Sequence, residues 1–188
     1  MRKSILMISV MMMLLACGGK KAQTESTDAA DADTTVAFAQ ADMVDLIRDL
    51  YAAAAKNEAD IDGRFACHEW RDMVAAVEEK DSHLAEIGFF NDDYWTQMQD
   101  SNPDDLSVPY INFEQLDVEK GRALVSFFLH SSVQDVHQKF EFCHDDGNWR
   151  VHNIIRYFDD ADGKEEECNL LESMRSYLAE PLEEVQNE

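Results

Sequence analysis

The chain has 188 residues, a formal net charge of −23, and ten Phe, five Tyr and three Trp among its 45% hydrophobic residues. A surface this acidic repels phosphate groups, which excludes nucleic-acid binding and argues against lying flat on anionic lipid. The aromatic residues lie beyond residue 35 and are enough for one hydrophobic core of about 100–150 residues. We therefore expect a single acidic domain.

Residues 1–16 have the three zones of a secretory signal peptide. A basic start, Met1 to Lys3, precedes an apolar run from Ile5 to Leu15, which is too short for a membrane-spanning helix of about 20 residues. The run ends in Leu14-Leu15-Ala16 followed by Cys17, which resembles the lipobox of bacterial lipoproteins, where the cysteine thiol is diacylated before cleavage. The resemblance implies cleavage before Cys17 and lipidation of that residue. The alternative is an ordinary signal peptide followed by a chance cysteine.

Residues 17–35 are small or polar and include no aromatic residue. Such a segment cannot bury enough apolar surface to fold, so we predict a flexible tether. Two or three acyl chains anchor a protein stably, and the membrane, reached through this lipid anchor, is the first expected partner. Gly18 after the cysteine favours the outer membrane of the cell envelope, on its periplasmic side or at the cell surface, if the sorting rule of enterobacteria applies.

Helical spacing of apolar residues comes next along the chain. It predicts an amphipathic helix over residues 36–56 and a second over 64–80, followed by a short turn around 84–90. A loop or helix then runs through residues 94–98. The segment Asn102-Pro103-Asp104-Asp105 is a clear break.

Beyond residue 110 the hydrophobic period changes to two, which is typical of strands. Four strands are predicted: one from Ile111, and one each through residues 123–130, 136–143 and 149–157. Asp145-Asp146-Gly147-Asn148 forms a tight hairpin turn between the last two. Because the connections are short, an antiparallel meander is the natural topology.

A last amphipathic helix is predicted over residues 165–179, and residues 181–188 form an acidic tail. The predicted domain, residues 36–180, is therefore α+β. Its N-terminal helices pack on one face of a curved four-stranded antiparallel meander, and a C-terminal helix follows.

The order of elements and the hairpin from Asp145 to Ile154, with its Gly-x-Trp segment, resemble the cone-shaped nuclear transport factor 2-like fold. The chain is similar in particular to lipoproteins of Bacteroidetes-type bacteria that carry this fold, whose loop before the strands is like the segment from Asn91 to Asp100. The resemblance covers residues 36–180. It implies a fold but no single activity, because the superfamily contains isomerases, dehydratases, binding modules and inert adaptors.

Cones of this fold often enclose a ligand pocket. The candidate pocket residues are Tyr94, Trp95, Asp100, Phe127, Phe140 and Trp149. Because few polar residues converge with them, we expect a non-catalytic module that binds a small molecule, a peptide or a protein, and no cofactor. A homodimer formed through the sheet is a further hypothesis.

The alternative function is that of a small-molecule isomerase or dehydratase. Ketosteroid-isomerase-like members of the superfamily use an aspartate base with a tyrosine, and dehydratase-like members use a His–Asp pair. The matching residue types here are Tyr94, Asp100, His130, His137 and His152. None of them stands in a motif that defines a role, so the sequence leaves enzymatic activity open and favours its absence.

Metal binding is a separate question, because His130, His137, His144, His152 and Cys143 fall in one predicted sheet. Imidazole and thiolate groups suit zinc or copper. No pair has the spacing that brings two ligands together, and on that ground no metal site is expected.

Three cysteines remain beyond Cys17, namely Cys67, Cys143 and Cys168, so at most one disulfide can form within the chain. We favour Cys143 with Cys168, because both flank the same hairpin-to-helix connection. Three free thiols are an equally supported alternative.

Overall fold

The structure is a computed structural model that describes residues 27–84, 88–99, 105–159 and 163–181. Its elements are α1 (Thr27–Ala55), α2 (Ile61–Phe65), α3 (His68–Asp81), β1 (Ile111–Asp117), β2 (Arg122–His130), β3 (Asp135–Asp145), β4 (Asn148–Asp159), β5 (Glu165–Asn169) and α4 (Leu170–Ala179). The chain is therefore α+β, as predicted. The predicted signal peptide, Cys17 and nearly all of the predicted tail lie outside the described residues.

The first helix presents an apolar stripe to the core, formed by Met43, Ile47, Leu50, Tyr51 and Ala54, each at most 2% exposed. Their spacing of three and four residues places them on one side of a helix, which confirms the helix predicted from residue 36. However, α1 begins at Thr27, so the tether predicted over residues 17–35 is wrong from residue 27 onward. Alanines, and acidic residues near the helix N-terminus, favour this extension.

The second predicted helix, residues 64–80, is divided in two. Ala66 is extended and forms an isolated parallel bridge with Val151 of β4. The N–H of Cys67 donates to the Val151 carbonyl at 2.9 Å. A residue that pairs with a strand cannot continue a helix, so α2 ends at Phe65 and α3 begins at His68.

The sheet is an antiparallel meander in the order β1-β2-β3-β4-β5. It has five strands, and the prediction of four is wrong. The fifth, β5, comprises residues that the sequence assigned to the start of the last helix, and it pairs with the end of β4. The helix starts only at Leu170, where the Asn169 side chain caps it by accepting from the Glu172 N–H at 3.1 Å.

A bulge in β4 changes which side chains face the core. Val151 pairs with Phe142 and Asn153 pairs with Glu141, so His152 has no partner on β3. An extra residue of this kind reverses the alternation that follows it. The strict period-two alternation predicted over residues 149–157 is therefore interrupted after Val151.

Past the bulge, Ile154 pairs with Phe140 and Arg156 pairs with Gln138 on the core side of the sheet. Ile154 is fully buried. The Arg156 guanidinium is paired with the Asp92 carboxylate, Nη1 to Oδ1 at 2.9 Å. The pair matters because a charge on the core face needs a partner.

Aromatic side chains fill the space between α1 and the sheet. The Tyr51 ring lies 5.8 Å from Phe127 and 6.4 Å from Phe140, and Trp95 lies 5.8 Å from Phe140. The Tyr51 hydroxyl lies 3.1 Å from both the Gln138 Oε1 and the Trp95 carbonyl oxygen. The Gln138 amide donates to the same carbonyl at 3.0 Å. The Tyr51 hydroxyl, the Gln138 amide and the Trp95 carbonyl thus form a buried hydrogen-bonded group inside the aromatic core.

None of the described helices is both long and apolar enough to cross a membrane.

Replacing Tyr51 with Phe is expected to destabilise the fold by about 1–3 kcal/mol, because it leaves the buried Gln138 Oε1 without its donor. Urea unfolding measures the change. The matched control is Tyr110→Phe, since Tyr110 is 78% exposed and its change should stay within about 0.5 kcal/mol. Equal effects of the two substitutions would contradict a stabilising role for this buried hydrogen-bonded group.

Candidate functional site

The structure does not bring the six predicted pocket residues into one open cavity. Trp95, Phe127 and Phe140 are buried in the packed core. Trp149 is also buried and lies against His144, with ring centroids 5.0 Å apart. Asp100 lies outside the described residues. The prediction of a pocket lined by this set is wrong where it can be checked, because the aromatic side chains contact one another.

Tyr94 belongs to a polar contact of its own. Its hydroxyl donates to Asp62, and the Trp95 indole N–H donates to the other carboxylate oxygen of Asp62 at 2.8 Å. Burial raises the pKa of Asp62 against the lowering effect of these two bonds. Burial, and then the charge of Asp62, raise the pKa of Tyr94. Both oxygens of this carboxylate are already bonded, which favours a structural role over general-base chemistry.

The histidines of the sheet are dispersed rather than gathered. His130 Nδ1 lies 2.6 Å from Asp135 Oδ1 in an exposed pair. His137 is stacked between Phe128 and Tyr157, with ring centroids 4.7 and 4.3 Å apart. Among the described residues, neither of these two histidines joins a group of thiol ligand atoms, whereas His152 does.

Two thiols and one imidazole form the most distinctive group in the described part of the chain. Cys67 Sγ, Cys143 Sγ and a ring nitrogen of His152 all lie within 4.8 Å of one another. Cys67 Sγ is 3.5 Å from His152 Nδ1. We call this group the thiol cluster. Its members come from the start of α3, from β3 and from the bulge of β4.

Backbone pairing positions each member. Cys67 is the N-cap residue of α3 and is held to β4 by its N–H bond to Val151. Cys143 is paired with Arg150 on β4 and with Arg122 on β2. His152 follows Arg150 by two residues and therefore lies on the same face of β4 as Arg150.

The cluster strongly perturbs the acidity of the Cys67 thiol. The neighbouring Cys143, together with His152 and the backbone N–H of Trp70, lowers the pKa of Cys67 to about 4 against the opposing effect of burial. The neighbouring Cys67, followed by burial, raises the pKa of Cys143. The contact with Cys67 raises the pKa of His152. Of the two thiols, Cys67 is therefore the more acidic.

The thiol cluster opens onto a cleft of about 250 Å³. Lys120, Arg122 and Glu69 line this cleft beside the cluster. Glu69 Oε2 lies 3.7 Å from His152 Nδ1, and Glu69 Oε1 pairs with Arg175 at 2.5 Å. Small ions and molecules can therefore reach sulfur atoms that are otherwise enclosed.

A second polar group lies on the rim of this cleft. His68 Nδ1 is 2.8 Å from Asp145 Oδ2, and Asp145 also accepts the His68 backbone N–H at 2.8 Å. Asp146 is 3.8 Å from the other ring nitrogen. These contacts fasten the first residue of α3 to the β3–β4 hairpin, which gives the group a structural role.

The disulfide favoured from the sequence, Cys143 with Cys168, is wrong. All three thiols are free, and Cys143 is opposite Arg150 whereas Cys168 is opposite Arg156 on β4. Six residues along a strand span roughly 20 Å, whereas a disulfide requires Cα atoms within about 7 Å of each other. The neighbour of Cys143 is Cys67.

The sequence analysis missed Cys67 because it looked for ligand pairs at short spacings. Cys67 and Cys143 are 76 positions apart, and no local pattern joins them. The available signals were weaker: a cysteine just before a predicted amphipathic helix, and an odd number of thiols beyond Cys17.

The chain matches no protein-family model, no curated protein and no solved structure. The thiol cluster and the N-terminal sequence are the features of the chain that point to a function.

The thiolate of Cys67 is expected to persist as the pH falls from neutrality and to be lost only as the pH passes through about 4. The measurement is ultraviolet thiolate absorbance against pH, with Cys67→Ala as the background. Cys143→Ala should move the transition to higher pH, because Cys143 is the largest cause of the lowered pKa of Cys67. Cys143→Ser keeps a donor and should move it less. An unchanged transition in Cys143→Ala would refute this account of the cluster.

Proposed function

We propose that this chain is a lipid-anchored protein of the bacterial cell envelope whose domain binds a thiophilic metal ion at Cys67, Cys143 and His152. Zn²⁺ is the best-fitting ion. The observation that carries the metal proposal is the convergence of three ligand atoms from three elements within 4.8 Å.

The spacing of the ligand atoms supports this choice of ion. On tetrahedral zinc, bond lengths of about 2.3 Å to sulfur and 2.0–2.1 Å to nitrogen separate the two ligands by about 3.6 Å. Cys67 Sγ and His152 Nδ1 are 3.5 Å apart. Thiolate and imidazole ligands bind zinc and copper(I) in preference to harder cations.

The protonation states also favour a cation. Metal ligands must be deprotonated, and the neighbours that lower the pKa of Cys67 to about 4 favour its thiolate form. A bound ion would displace the proton of Cys143 and would bind both sulfurs as thiolates. The Glu69 carboxylate lies 3.7 Å from His152 Nδ1 and adds negative charge beside the three ligands.

Burial argues for an ion rather than a macromolecular thiol substrate. Cys67 is only 2% exposed, so a protein disulfide cannot approach it without displacing neighbouring structure. An ion that enters the cleft of about 250 Å³ can approach Cys67. The proposal is therefore a binding module, as favoured from the sequence, but its ligand is a metal ion, which the sequence did not predict.

The filled interior disfavours the isomerase or dehydratase alternative. Such chemistry needs a buried acid or base beside an open ligand space. Here Tyr51, Phe127 and Phe140 occupy the space between α1 and the sheet, and both oxygens of the Asp62 carboxylate accept hydrogen bonds from neighbouring side chains.

The nuclear transport factor 2-like fold is also part of the proposal. Its support is the order of elements, with N-terminal helices, an antiparallel meander and a C-terminal helix, and the Gly-x-Trp hairpin that joins β3 to β4.

Intact-mass spectrometry of the protein purified from its native host in mild detergent tests the lipid anchor. The expected protein lacks residues 1–16 and carries acyl groups on Cys17. Cys17→Ser should remain uncleaved and unacylated, because the acceptor thiol is missing. A native chain that starts at Met1 with an unmodified thiol at position 17 would refute the anchor and, with it, the compartment.

Zinc titration of the reduced full-length chain against a chromogenic chelator tests the metal proposal. We expect one tightly bound ion per chain, and a thiolate-to-metal charge-transfer band when Co²⁺ is used as the probe. Cys67→Ser, Cys143→Ser and His152→Ala should each weaken binding by at least about 10–100-fold, the range seen for loss of supporting residues around metals.

Cys168→Ser is the matched control, because Cys168 lies on β5 and contacts Ser173 instead of the thiol cluster. Its zinc affinity should equal that of the unaltered chain. The metal proposal fails if Cys168→Ser weakens binding as much as Cys67→Ser, or if the cobalt complex shows no thiolate band.

A further inference from the structure

The two sulfur atoms of the thiol cluster are close enough to be joined. Cys67 Sγ and Cys143 Sγ lie within 4.8 Å, whereas the sulfurs of a disulfide are about 2.05 Å apart. Closing the gap requires the two sulfur atoms to approach each other by under about 3 Å. Cys143 is half-buried at the cleft, so its side chain has room to turn.

We propose that Cys67 and Cys143 form a disulfide when a hydroperoxide enters the cleft, and that this bond abolishes metal binding at the thiol cluster. The metal part of this inference rests on the proposed function. The disulfide part rests only on the geometry of the two thiols.

The chemistry balances with hydrogen peroxide as the oxidant. The Cys67 thiolate attacks one peroxide oxygen, a sulfur–oxygen bond forms, the oxygen–oxygen bond breaks, and the departing hydroxide takes a proton to become water. The Cys143 sulfur then attacks the Cys67 sulfenic sulfur as its own proton leaves. The sulfur–oxygen bond breaks, and a second water is released. Two thiols are oxidised to one disulfide, and one peroxide is reduced to two waters.

The shape of the site selects a small oxidant. Cys67 is 2% exposed, and the cleft beside it has a volume of about 250 Å³. Peroxide fits this cleft, whereas a bulky disulfide does not reach the Cys67 sulfur. Arg122 and Arg150 on the strands beside Cys143 add positive charge near the reacting sulfurs.

Disulfide formation removes two of the three proposed metal ligands at once. Sulfur in a disulfide no longer binds as a thiolate, so His152 alone would remain, with the carboxylate of Glu69 near it. Conversely, a bound ion ties up both thiolates and protects them from attack. The cluster would therefore hold its ion only while the two thiols are reduced.

The test is oxidation of the full-length chain by a small excess of hydrogen peroxide, followed by alkylation and tryptic mapping without reductant. Trypsin separates the three thiols beyond Cys17 into peptides 65–71, 140–150 and 165–175. We expect peptides 65–71 and 140–150 to be recovered as one species, lighter by two hydrogen atoms than the reduced pair. Peptide 165–175, with Cys168, should be alkylated as before. Preloading with Zn²⁺ should slow the cross-link by about tenfold or more.

The outcomes separate the two ideas. A cross-link that forms equally fast with and without Zn²⁺ would overturn the control of metal binding while leaving the disulfide intact. A Cys67 peptide that gains one or more oxygen atoms and stays unlinked would overturn the disulfide, although metal binding could still hold. Cys143→Ser should stop at the sulfenic acid and Cys168→Ser should still cross-link, with circular dichroism confirming that both are folded.

Discussion

The backbone pairing of residues 66 and 67 with β4 is the constraint on which the rest of the site depends. The Cys67 N–H bonds the Val151 carbonyl at 2.9 Å, and Ala66 is extended against the same residue. This pairing ends one helix, starts the next and places a cysteine beside a strand. Without it, residues 61–81 could form one continuous helix, and the Cys67 sulfur would not lie next to His152.

The bulge in β4 contributes the second half of the arrangement. Because His152 has no partner on β3, it sits where the strand changes register, between Val151 and Asn153. The same irregularity turns Ile154 toward the core, and Asn153 is then free to accept the Leu171 N–H and donate to Glu141. One extra residue thus positions an imidazole and also attaches α4 to the sheet. Bulges are common beside functional sites for this reason.

The location of the thiol cluster follows from how the core is filled. The interior is filled by side chains that include Tyr51, Phe127, Phe140 and Trp95, so a ligand site has to lie elsewhere. The end of the sheet near the β3–β4 hairpin supplies polar side chains, two thiols and a cleft. Lys120 and Arg122 add positive charge there on an otherwise acidic molecule, and positive charge favours the thiolate form of a nearby cysteine.

The sequence alone determined the features that depend on neighbours along the chain: the apolar face of α1, the period-two strands, the turn at Asp145–Asn148 and the α+β order. These features follow from local periodicity, because side chains a few residues apart lie on the same face of a helix or a strand. Tertiary structure decided the break before Cys67, the pairing of β5, the bulge at His152 and the meeting of Cys67 with Cys143. Each of these arises because a distant strand offers a backbone or side-chain partner that outcompetes the local preference. No spacing in the sequence records which distant residues will meet.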